Sequence, residues 1–198
     1  MYDGSERRLG MERIQRISGI LLKLFQGMLV ALPFEKALFW LLIDWMLVKQ
    51  LMQKGIWMHA VLMPEGFKSF ADIQLNALSK WIGFAGSVMG SLPLWMGLVV
   101  LIKLFRNYQA GRIFASINVV CYRQLGWLCF INALVVRPLN EMIMTLAATL
   151  SNPPGQRMIS IGFGTPSLED IFIGLLIVVI SWVMAEGHRL EDEQLLTV

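Results

Sequence analysis

Apolar residues fill long stretches of this chain, and the polar ones gather in short intervals between them. Four stretches, 17–43, 81–105, 119–150 and 168–186, are apolar over the length a bilayer crossing needs, about 20 residues. The second is the cleanest, with no charge before Lys103. The first is interrupted by Lys23, Gln26, Pro33 and the adjacent Glu35 and Lys36. Lys23 can hold its ammonium at the near headgroups while its stem stays in the apolar layer. Pro33 predicts a kink, because it has no N–H and crowds the preceding turn. Glu35, Lys36 and Asp44 fall toward the far side. The third stretch would be about 50 Å long as a helix and so projects beyond the bilayer. The pattern predicts an all-α integral membrane fold: one domain of four transmembrane helices joined by short loops.

The intervals carry their own signals. In the first loop, Phe67, Phe70, Ile73, Leu75, Leu78 and Trp81 recur at roughly helical spacing, which predicts an amphipathic helix lying on the membrane surface. A polar hinge, 106–112, separates the second and third spans. Gly111 can take the left-handed conformation that ends a helix, and Ser116 is the expected N-cap of the next one. After the third span, Asn152, Pro153, Pro154 and Gly155 predict a turn. Ile159, Ile161 and Phe163 then alternate with smaller residues as a short strand does. Within the second span, Gly83, Ser87 and Ser91 stand four residues apart, as do Gly86 and Gly90. Small residues at this spacing let another helix approach closely, either inside the chain or in a homo-oligomer.

Composition agrees with a bilayer as solvent. The chain is 56% hydrophobic and 16% charged, with a mean hydropathy of +0.60. Soluble domains lie near 45–50% apolar with about a quarter of residues charged. The basic residues Arg7, Arg8, Arg13 and Arg16 precede the first span as in a signal peptide, but the apolar run is too long and no small-x-small site follows, so it reads as a retained anchor. Lys and Arg fall nine on the side of the termini and hinge against five on the other. By the positive-inside rule this places both ends and the hinge in the cytoplasm. The net charge of +3 is not collected into a basic patch interleaved with exposed aromatics, which argues against direct nucleic-acid binding.

Arg137 and Glu141 are the main chemical candidates. They sit one turn apart on the third span, and ionisable groups inside a membrane are functional candidates by default. With Asp44, Glu35 and Lys36 they could line a polar pocket or ion path; the plainer reading is a structural pair or a pair at the headgroups. Cys121 and Cys129 would lie about 12 Å apart on one helix, too far for a disulfide, and read as small buried residues. His59 and His188 belong to no ligand-spaced cluster, and no zinc spacing occurs. Gly162 and Gly164 lack the lysine and the strand-to-helix setting of a phosphate loop. No histidine base stands readably near a serine. No metal, cofactor or catalytic set is therefore expected, and the function class expected is non-enzymatic.

Gly111-Arg112-Ile113-Phe114, Asn118-Val119, Arg123, Gly126 and Trp127 resemble the central segment of the bacterial membrane family DUF2975. Glu186-Gly187, Arg189-Leu190, Glu193 and Leu196-Thr197-Val198 resemble its C-terminal signature, and the segment 152–157 resembles the exported loop of its proteobacterial members. The resemblance covers about the second half of the chain; the first half fits by hydropathy. It implies a four-span inner-membrane protein of unknown function. Because such proteins are often encoded beside a small helix-turn-helix regulator, it also implies a membrane partner for a transcription factor. It supplies no catalytic residues.

Two functional readings follow. In the first, the chain is a non-enzymatic interaction or sensor protein that docks a cytoplasmic regulator through Arg106, Arg112, Arg123, Arg189 and Glu193. The same pattern is also what basic anchors on anionic lipid and a solvated acidic tail produce. In the second, the chain is a subunit of an oligomeric channel or transporter whose polar path is lined by Arg137, Glu141 and Asp44. The two differ in which charges they require.

Overall fold

The computed structural model describes residues 4–57, 60–63, 66–162 and 165–196. Helix α1 spans Gly4–Leu42, and a short α2 follows at Met46–Gln53. Strands β1 (Ala60–Met63) and β2 (Gly66–Ser69) pair antiparallel, with Ala60 opposite Ser69 and Met63 opposite Gly66. A 3-10 turn at Phe70–Asp72 leads to α3, Ala77–Gln109. Then come α4 (Ser116–Ile131), a π turn (Asn132–Val136), α5 (Arg137–Thr149) and α6 (Thr165–Leu196).

Four helical stretches are long and apolar enough to cross a membrane: Gly10–Leu42, Ala77–Gln109, Ser116–Thr149 and Ser167–Leu190. In none of them is more than 28% of the apolar window buried inside the protein. Side chains such as Phe172, Trp182 and Val183 point outward and are more than half exposed. Lipid tails can cover such surface and water cannot without large cost. The all-α, four-span, multi-pass membrane fold expected from the sequence is the fold observed, with each crossing longer at its start than the apolar pattern alone indicated.

Several local expectations are corrected. No single helix occupies 67–81: the segment is the end of β2, the 3-10 turn Phe70–Asp72 and, only from Ala77, the first turn of α3. Its apolar residues do not share a face: Phe70 and Ala71 are buried, whereas Phe67, Leu78 and Trp81 are exposed. The segment turns instead through Gly66, at φ +113°, into the hairpin. The span 158–162 has no regular secondary structure and among the described residues pairs with no strand; it is hydrogen-bonded to the side of α5. Phe163, like Gly164 and His59, lies outside the described residues. Ser116 is the first helical residue rather than a cap, and the Asn118 amide donates to the Ala115 carbonyl at 2.9 Å. Helix α1 continues through Pro33 without ending. The third span is continuous but holds the π turn just before Arg137-Pro138. Proline cannot donate to the carbonyl four residues earlier and its ring crowds that carbonyl; a locally widened turn accommodates both.

Contacts divide the chain into two units: Met1–Val30, Pro93–Ile131 and Leu168–Val198 form one, and Ala31–Leu92 with Asn132–Ser167 the other. In the first, α4 and α6 touch at their backbones. A Cβ on Gly126 would stand 2.7 Å from Val178 Cγ2 and 3.1 Å from the Gly174 carbonyl oxygen. A small apolar cluster of Val100, Leu104 and Cys121 ties α3 to α4. In the second unit a larger core gathers Phe39, Trp40, Ile43, Val48, Met52, Val61, Phe70 and Ala148. This core roots α2 and the hairpin on the end of α1, with Trp40 edge-on to both Phe39 and Phe70.

Candidate functional site

The hinge between α3 and α4 is built from its own sequence. Gly111 takes φ +75°, a conformation that costs other residues about 1–2 kcal/mol. This lets its amide reach the Tyr108 carbonyl at 3.0 Å and the Arg112 amide reach the Asn107 carbonyl at 2.9 Å, the pair of bonds that closes a Schellman cap. Asn118, wholly buried, locks the turn from the other side. Its Nδ2 donates to the carbonyls of Arg112 at 2.7 Å and Ile113 at 2.8 Å, and its Oδ1 accepts from Asn107 Nδ2 at 2.8 Å. The hydroxyls of Tyr108 and Tyr122 are 2.7 Å apart. Phe114 reaches α6, where a Cβ on Gly187 would meet its ring at 2.9 Å. Gly111, Phe114, Asn118, Gly126 and Gly187 are residues on which the family resemblance rests, and each makes a turn or a close approach in this unit.

The docking candidates are on the surface. Arg106, Arg112, Arg123, Arg189 and Glu193 are all exposed. Arg189 is held along its own helix by Glu193 at 3.1 Å and Glu186 at 3.7 Å. No ion pair among the described residues takes Arg106, Arg112 or Arg123. Thr197 and Val198 of the C-terminal signature lie outside the described residues.

The intramembrane candidates take separate partners. Glu35 pairs with Lys36 at 2.9 Å and accepts from the Trp57 indole N–H at 2.8 Å. Asp44 pairs with Lys80. Glu141 accepts from the Ser160 hydroxyl at 3.1 Å and packs so closely on Gly162 that a Cβ there would sit 2.4 Å from its Oε2. Arg137 is half-buried and not without a partner; among the described residues no ion pair joins it to Glu141.

Glu141 is one rung of a ladder not foreseen from the sequence. Thr145 Oγ1 accepts from the Ser160 amide, and Thr149 Oγ1 from the Met158 amide, both at 3.1 Å. Each threonine hydroxyl also donates back to α5, to the carbonyls of Glu141 and Thr145, at 2.8 Å. Four helical residues rise about 6 Å, and two extended residues advance about 6.6 Å. The spacing 141, 145, 149 therefore matches 162, 160, 158 run in the opposite direction. The available signal was the four-residue polar stripe on an otherwise apolar helix.

The small residues of the second span face two ways. A Cβ on Gly83 would fall 1.9 Å from Trp40 Cη2, and Ser87 Oγ accepts from Trp40 Nε1 at 2.8 Å. Ser91 donates to the Ser87 carbonyl at 2.7 Å. Gly86 and Gly90 lie against α5: a Cβ on Gly86 would meet Ile143 Cγ2 at 2.7 Å, and one on Gly90 would meet the Asn140 amide group at 2.9 Å. Asn140 Oδ1 is buried with no hydrogen-bond partner among the described residues.

Among the described residues no group of three His, Cys, Asp or Glu side chains could hold a metal ion. Comparison with curated proteins and with solved structures gave no match. The family described as DUF2975, protein of unknown function, matches residues 68–198. The match thus begins at β2 and takes in α3 to α6, further toward the N-terminus than the resembling motifs reach. With the greater part of the chain matched and the four membrane-length helices in place, this protein belongs to the DUF2975 family.

Proposed function

We propose that this chain is a non-enzymatic protein of the bacterial inner membrane that docks a cytoplasmic protein at the α3–α4 hinge. Both termini and the hinge lie in the cytoplasm in this reading, as the excess of Lys and Arg on that side favours. The partner class the family resemblance implies is a helix-turn-helix regulator, with the loops on the opposite face sensing the exterior. The observation that carries the reading is the exposure of Arg106, Arg112 and Arg123 with no carboxylate partner among the described residues. Arg106 and Arg112 flank a turn held by Gly111 and Asn118, and Arg123 follows two turns along α4. Guanidinium is more weakly hydrated than an ammonium and binds carboxylates in a fixed bidentate geometry, and a preorganised turn lowers the ordering cost of meeting an acidic partner surface.

A channel reading needs Arg137, Glu141 and Asp44 along one path. Ser160 engages Glu141 and Lys80 engages Asp44, which favours the docking reading. The test is native mass spectrometry of the protein gently extracted from its own membrane. A cytoplasmic protein that co-purifies with the wild type and is lost with Arg112→Glu or Arg123→Glu supports the proposal. A homo-oligomer with no other protein overturns it.

A further inference from the structure

A cleft of about 490 Å³ opens on the second unit where α1 ends and α3 begins. The volume falls in the range of small-ligand sites, about 300–1,000 Å³. Its walls are apolar: Ala37 and Leu41 from α1, Ala77 from the first turn of α3, and the rings of Trp40, Trp81 and Phe84. Trp40 is fixed in place by the Ser87 hydrogen bond and by the missing side chain at Gly83, so the cleft is shaped before anything enters it. Trp81 is 71% exposed and Leu41 80%.

Lys80, the cleft's charged lining residue, forms an ion pair with Asp44 just past the end of α1. Each of the two helices has an end here, and Trp45 and Trp81 are both exposed at this level, as aromatic side chains are at a membrane–water boundary. An apolar slot below a paired cation and anion is complementary to one kind of membrane molecule. Lys80 matches a phosphodiester, Asp44 beside it matches the ammonium of the same headgroup, and the aromatic slot matches an acyl chain. A purely anionic headgroup would place its charge beside Asp44 with no compensating amine. We infer that the cleft between α1 and α3 is a binding site for a single amine-bearing zwitterionic phospholipid, held by Lys80 and Asp44 at the headgroup and by Trp40, Trp81 and Phe84 along one chain.

The experiment uses the full chain in nanodiscs made of equal parts phosphatidylethanolamine and phosphatidylglycerol. Native mass spectrometry after release reads the lipid retained. The wild type is expected to keep one phospholipid, with the ethanolamine lipid favoured about threefold, the range expected for one partly exposed charge pair. Asp44→Asn should remove the preference while a lipid is still kept. Ala77→Phe, at an exposed position, should fill the slot and bring retention to background with an unchanged thermal midpoint; Leu41→Trp at the rim serves as a second block. Absence of retained lipid in the wild type would overturn the inference. So would an unchanged headgroup ratio in Asp44→Asn, or full retention in both filled variants.

Discussion

Glu141 accepts a hydrogen bond from the hydroxyl of Ser160, nineteen positions further along the chain, at 3.1 Å. That contact is one end of the ladder through Thr145 and Thr149 that lays the loop after α5 back along the helix it has just left. A carboxylate on a membrane helix is thereby engaged by loop groups, as buried polar groups require.

The ladder predicts a graded response. Thr145→Val removes the acceptor of the Ser160 amide and should destabilise the protein by about 1–2 kcal/mol. Glu141→Gln keeps a carbonyl acceptor for the Ser160 hydroxyl and should cost less. Hydrogen exchange across 158–162 reads both. Faster exchange in Thr145→Val, and little change in Glu141→Gln, is the expected order.

Glycines on the membrane helices should respond in opposite directions. Gly83→Ala puts a methyl group into the Trp40 ring and should cost about 1–3 kcal/mol by overpacking. A Cβ on Gly27 would meet nothing within 4 Å, so Gly27→Ala should be neutral or gain up to about 1 kcal/mol from helix propensity. Thermal midpoints in detergent compare the two, and equal shifts would contradict the Trp40 contact.

At the hinge, Asn118→Leu leaves the carbonyls of Arg112 and Ile113 without their donor and should cost about 2–3 kcal/mol. Gly111→Ala should cost about 1–2 kcal/mol through its backbone angle alone. Trypsin cleavage at Arg112 provides the readout: both substitutions should speed it, Asn118→Leu more.

If the hinge arginines bind an acidic protein surface, co-purification should weaken as salt rises, because exposed charges are screened within about 8 Å at physiological ionic strength. Retention that does not change between low and high salt would point to an apolar contact instead.

Some of this architecture is legible along the chain. A bilayer crossing depends on composition averaged over some twenty positions, so four spans can be read without knowing any contact. The end of α3 is legible too, because Gly111 meets a purely local requirement. The hairpin at 60–69 was not: the spacing from Phe67 to Trp81 fits a helix, and only packing of Phe70 and Ala71 into the core with Phe39 and Trp40 decides against it. The π turn before Pro138 was half legible, since proline announces a disturbance but not its form.

Composition, local backbone preference and motif are enough to identify a four-span membrane protein of the DUF2975 family, and to locate the hinge at 106–112 and the turn at 152–155. The partner of each polar group emerges only when the chain is folded: Ser160 for Glu141, Lys80 for Asp44, Trp57 for Glu35, and Trp40 for Ser87. Each partner comes from a different part of the chain. A polar acceptor takes any donor that folding delivers at the right distance and angle, and chain position does not specify which donor that will be.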